Sequence, residues 1–142
     1  MKTIYVLVLA LFSRLLPSQS FAQSILPQRL NYQAVARNAS GQPLANQNIA
    51  VRFSITSGSP NGTADYQETH TATTNAYGLF TLQIGAGSPV SGSMSAINWS
   101  NTSKWLRVEL DPTGGTAYQL LGASEFVSVP YALEALRTTE PP

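Results

Sequence analysis

The 142-residue chain has no cysteine and a single histidine, and it carries only eight Lys plus Arg against seven Asp plus Glu. Without cysteine there is no disulfide staple, no thiol nucleophile, no thiolate metal site and no lipidated amino-terminal cysteine. One histidine, His70, with no His or Cys partner fits neither the spacing of a metal site nor a nucleophile triad, and it reads as a solvated strand residue. The low and nearly balanced charge excludes the basic field that nucleic acid or an anionic membrane would require. No apolar run approaches the roughly 20 residues of a membrane-spanning helix. No helical period precedes residue 130.

What is present begins with Met1-Lys2, the nine apolar residues Ile4 to Phe12, and Ser20-Phe21-Ala22 before Gln23. A positive start, an apolar middle and small residues at a cleavage point are the three parts of a secretory signal, so residues 1–22 are expected to be removed after Ala22. The expected location is secreted, extracellular or at the cell surface, with the periplasm as the other compartment on that route. Of the eight basic residues Lys2 and Arg14 leave with the signal, so six face seven acidic ones and the mature chain is formally −1. Its 120 residues (142 minus 22) suit one domain that stands on its own core.

Alternation then runs through the chain. Leu30, Tyr32, Ala34 and Ala36 are in phase. Ile49, Val51, Phe53 and Ile55 oppose Ala50, Arg52, Ser54 and Thr56, the pattern of a strand with one wet face. Residues 64–73 are polar apart from Tyr66 and suit an edge strand. Asn75 and Gly78 bracket a turn into a strand with Phe80, Leu82 and Ile84 inward. The Gly-, Ser- and Pro-rich stretch from Gly85 to Ser93, continuing to Ser103, reads as one long connection. Leu106, Val108 and Leu110 mark the next strand, and residues 117–121 and 124–129 two more, separated at Gly122. About seven strands with a turn signal every ten residues or so predict a single antiparallel β-sandwich, all-β and Ig-like or prealbumin-like, over residues 23–129. Pro130 to Arg137 favours a short helix, within a helix-prone segment and tail covering residues 130–142.

Six segments in order carry a resemblance. They are Asn31-Tyr32-Gln33-Ala34-Val35-Ala36-Arg37, Gly41-Gln42-Pro43-Leu44, Asn75-Ala76-Tyr77-Gly78-Leu79-Phe80 with Ile84-Gly85-Ala86-Gly87, Ile97-Asn98-Trp99, Val108-Glu109-Leu110-Asp111, and Ser128-Val129-Pro130-Tyr131-Ala132-Leu133. Together they resemble the amino-terminal β-sandwich module of secreted Bacteroidota-type surface proteins, found ahead of tail-fibre-like, collagen-like or other surface repeats. The resemblance implies a presentation or spacer module with no established activity or site residues, handing over to a further domain after the segment similar to Ser128–Leu133. The chain departs from that pattern by stopping about ten residues later. Asn75-x-x-Gly78-x-Phe80 is also similar to the turn of prealbumin-like regulatory domains, over a short stretch.

Candidate sites are few. Glu109 and Asp111 lie two apart on one strand face and could meet Asp65 or Glu68, the arrangement of a glycosidase or calcium site, but without an Asp-rich loop they read as surface charge. Trp105 is out of phase with Leu106, Val108 and Leu110 and so belongs to the outer face. Trp99, Trp105 and Tyr131 are the candidate contacts to a ligand or partner, the alternative for the two tryptophans being packing under the long loop or the terminal segment. The function expected is non-enzymatic, without cofactor or metal: a module for cell-surface or extracellular assembly or adhesion that presents or docks neighbouring domains. Its partner is a protein or adjoining domain. The alternative is a small carbohydrate-binding module with an aromatic platform for a surface glycan.

Overall fold

A computed structural model of the chain describes residues 28–127. The expected signal at residues 1–22, the expected helix from Pro130 and the candidate contact Tyr131 lie outside the described residues. Seven strands follow in order: β1 (Leu30–Val35), β2 (Asn48–Ser57), β3 (Ala64–Thr73), β4 (Leu79–Ile84), β5 (Ser88–Gly92), β6 (Lys104–Asp111) and β7 (Gln119–Glu125). A 3-10 turn at Met94–Ala96 lies between β5 and β6. The strands form two antiparallel sheets, β1-β4 and β5-β3-β2-β6-β7, a β-sandwich as the alternation predicts.

The centre is β2, paired with β3 on one side and β6 on the other. Its apolar set Ile49, Val51, Phe53 and Ile55 is 0% exposed, and burying it contributes at most about 6–12 kcal/mol. The two-stranded sheet closes over this face. Tyr32 of β1 meets the Phe53 ring edge-on at 4.9 Å, and Phe80 of β4 packs into the same cluster with Ile84, Leu106, Val108 and Leu110.

The turn into β4 is built as its residues require. The Asn75 side-chain oxygen accepts the Tyr77 and Leu79 N–H groups at 2.9 and 3.0 Å, and the Gly78 N–H donates to the Asn75 carbonyl at 2.9 Å. Gly78 has φ 76°, and a β-carbon there would lie 2.7 Å from the Ala36 carbonyl oxygen. That close approach accompanies a hydrogen bond from the Ala36 N–H to the Gly78 carbonyl at 2.8 Å, which fastens the turn to the end of β1.

Three expectations change. β3 is interior, not an edge: β5 pairs beside it, with Glu68 opposite Pro89 and a register shift at Gln67/Glu68. The stretch taken as one long connection therefore contains the edge strand itself, and an edge tolerates Pro89 because one side of it needs no ladder N–H. The last two expected strands are one. Gly122 pairs with Val108 inside β7, and the register shift at Val108/Glu109 leaves Leu121 as the extra residue. One strand found and one merged leave the number at seven.

Candidate functional site

An enzyme would need one of the polar clusters free to act. Glu68 and His70 share the inward phase of Tyr66 and Ala72, because Val51 and Phe53 of β2 stand opposite them. His70 is thus not a solvated strand residue: its side chain is 9% exposed and meets the Phe53 ring edge-on at 5.4 Å. Glu68 is 0% exposed. Its Oε1 accepts the Gly85 N–H at 2.7 Å, and its Oε2 accepts the Tyr66 hydroxyl and the Gly87 N–H, both at 2.8 Å. His70 Nε2 lies 3.0 Å from Oε1 but lacks hydrogen-bond alignment, so that contact is electrostatic. Burial opposes the charge of Glu68, and the His70, Gly85, Tyr66 and Gly87 contacts outweigh it, leaving the carboxyl below its ordinary range. Burial and the same carboxylate push the Tyr66 hydroxyl upward. The cluster joins β3 to the turn that leaves β4, so it holds one sheet to the other.

The outer face is tied down in the same way. Glu109 stands opposite Arg52 and forms a two-pronged ion pair with it at 2.7 and 2.8 Å, while Arg107 reaches the same carboxylate at 3.0 Å. The Arg52 guanidinium also lies over the Tyr118 ring, 4.5 Å from its centre. Asp111 closes the β6–β7 loop by accepting the Thr113 N–H and hydroxyl at 2.9 and 2.7 Å and the Ala117 N–H at 2.8 Å. Those bonds, the Thr113 hydroxyl foremost, hold its carboxyl low. Neither acid is the surface charge expected: Glu109 is 4% exposed and Asp111 1%. Nor do they meet Asp65, which pairs with the buried Lys104 at 2.7 Å beside Ser57. Among the described residues no group of three His, Cys, Asp or Glu side chains is placed to hold a metal ion. A cleft of about 540 Å³ between the β6–β7 loop and the β4–β5 turn is lined by Thr69, His70, Thr71, Ser88, Thr116 and Tyr118, and the His70 ring on its wall is the one held beside Glu68.

The apolar surface tells a different story. β7 ends the five-stranded sheet, and all seven of its residues are exposed. Leu120 and Leu121 are both about half exposed. Leu121, Gly122 and Ser124 border a groove of about 210 Å³ against Tyr32, Leu106 and Val108, where the two-stranded sheet stops short of β7. A side-chain carbon added at Gly122 would meet nothing within 4 Å. Beyond the strand, the Phe126 N–H still donates to the Lys104 carbonyl at 2.8 Å, and Val127 is 81% exposed.

Trp99 belongs to this end of the sheet. Its ring stands edge-on to Phe126 at 5.5 Å, and the two border a hollow of about 350 Å³ with Lys104 and Val127. Trp105 lies on the outer side of β6, opposite Thr56 and Glu125, half-buried and with its Nε1 enclosed. Trp99 was a candidate contact from the sequence, whereas Leu120, Leu121, Phe126 and Val127 were not singled out. Their signal was two adjacent leucines and an apolar pair on either side of a short polar stretch, obscured by taking Gly122 as a break.

A family described as a domain of unknown function (DUF8740) matches residues 31–122, from β1 to the middle of β7. No curated protein and no solved structure matches the chain.

Proposed function

The chain belongs to the family of domains of unknown function DUF8740, and on that premise we propose that it is a non-enzymatic, exported module of a cell-surface or extracellular assembly, docking a protein partner or adjoining domain along β7. One observation carries the reading: β7 is exposed over its whole length, has no strand paired to its outer edge among the described residues and runs into the apolar corner of Trp99, Phe126 and Val127. An open edge offers a row of backbone donors and acceptors, and strand addition uses them for affinity while flanking apolar side chains give selectivity. The resemblance to surface modules of the Bacteroidota type supports the same reading, as does the signal-like start of the chain. The engagement of Glu68, Glu109, Asp111 and Lys104 in structural pairs supports a scaffold over a catalyst.

The test is made in a producing cell, with a photoreactive side chain at Leu120 of β7 or at Val90 of the opposite edge strand. The expected result is a discrete adduct in the exported fraction from position 120 and none from position 90. Equal adducts from both positions, or a protein retained in the cytoplasm, would overturn the reading. An adduct twice the mass of the chain and an adduct with another protein both satisfy it.

A further inference from the structure

The two edges of the five-stranded sheet differ in how they are protected. β5 is five residues long and carries Pro89, both of which discourage pairing with another chain, whereas a one-residue register shift is common to both edges. β7 has seven residues, no proline and no lysine, and its one charge is Glu125 at the end. Its composition is symmetric about the middle: Leu120 and Leu121 at the start, Gly122-Ala123-Ser124 at the centre, Phe126 and Val127 just past the end. An antiparallel copy laid along such a strand brings apolar end to apolar end and small residues to the centre.

Resting on the docking surface above, we propose that the partner of β7 is β7 of a second copy of this chain, giving a two-fold dimer with one continuous ten-stranded sheet. A two-fold perpendicular to an antiparallel sheet must pass through a residue pair, so that opposed side chains share a face. Placed at Ser124, it sets Ala123 opposite Glu125 and Gly122 opposite Phe126, with the Leu120–Leu121 end against Val127. Ala123 and Glu125 both share the outer phase of Arg107 and Trp105, and no charge opposes its like. The space around Gly122 leaves room for the opposed strand at Phe126. The extra residue at Leu121 then widens the ladder only at its two ends.

The absence of cysteine makes the register testable on the full mature chain. Residues opposed across an antiparallel pair have α-carbons about 4.5–5.5 Å apart, within the span of a disulfide. Mild oxidation should convert most of a Ser124→Cys protein to covalent dimer and at least tenfold less of a Val90→Cys protein. Sedimentation of the unmodified chain should show a dimer at micromolar to millimolar concentration. Ser124→Lys, which opposes two ammonium groups at the axis, should weaken it at least tenfold, whereas Ala123→Lys, facing Glu125, should not. A chain that stays monomeric at millimolar concentration, or equal crosslinking at positions 124 and 90, overturns the proposal. Since the photoreactive probe at Leu120 reports any partner, a monomer that still gives a mixed adduct there ends the dimer and leaves the docking surface standing.

Discussion

Glutamine in place of Glu68 keeps the shape of the side chain and removes its charge. The carboxylate accepts two backbone N–H groups and the Tyr66 hydroxyl, on both of its oxygens, at full burial. A glutamine offers one oxygen, so its NH₂ must face either the Gly85 or the Gly87 N–H, and one buried donor is orphaned. An unsatisfied buried donor costs about 1–3 kcal/mol, and the remaining bonds lose their charge assistance, so the expected total is about 2–4 kcal/mol. For a domain of this size that corresponds to a fall in melting temperature of about 10–25 °C. The pH dependence gives a second readout. Because the folded carboxyl lies below its ordinary value of 4.5, its stabilisation is fully present above that value and is lost as pH falls through the folded one. Asp65, Glu109 and Asp111 are also held low, so both proteins weaken in acid, but only the difference between them belongs to Glu68. Thermal unfolding by circular dichroism from pH 7 to pH 3 should show a gap that narrows below about pH 4.5. A gap under about 0.5 kcal/mol at pH 7, or one that does not change with acid, would refute the assignment of Glu68 as the tie between the sheets.

Gly78→Ala should cost at least about 1–3 kcal/mol in chemical denaturation, because it forces a left-handed φ and a β-carbon against the Ala36 carbonyl. Asp65→Asn strands the buried Lys104 ammonium and should cost about 1–3 kcal/mol, and Lys104→Met in the same chain should recover part of that loss if the cost lies in the unpaired charge. Phe53→Ala, at 0% exposure between Tyr32 and His70, should cost about 3–5 kcal/mol in the same assay, the largest effect among apolar truncations of β2.

The sandwich was legible because most of its inward positions are apolar at period two. Ile49 to Ile55, Leu30 to Ala36 and Phe80 to Ile84 all fall on the predicted face. The Asn75–Gly78 turn was legible from its residue types alone. What escaped was set by partners distant in sequence. Glu68 and His70 share the phase of Tyr66, yet a carboxylate reads as solvent-facing until the amides of Gly85 and Gly87, 17 and 19 residues on, are brought to it. Likewise Glu109 and Asp111 look like surface charge until the register supplies Arg52 and the loop supplies Thr113 and Ala117. Pro89 hid β5 and Gly122 divided β7, since both are breakers in a central strand and tolerated at an edge. The apolar corner was half visible: Trp99 was named as a contact, but its neighbour Phe126 meets it only through the sheet.

The central claim is that the outer edge of β7 is a covered surface in the working state, and amide hydrogen exchange of the full chain reads it directly. At high concentration the exchange of residues 119–125 should slow at least tenfold relative to dilute protein or to Ser124→Lys, while residues 88–92 of β5 exchange alike in all three. Exchange in β7 that is independent of concentration and of the substitution, or a slowing shared equally by β5, would contradict the account.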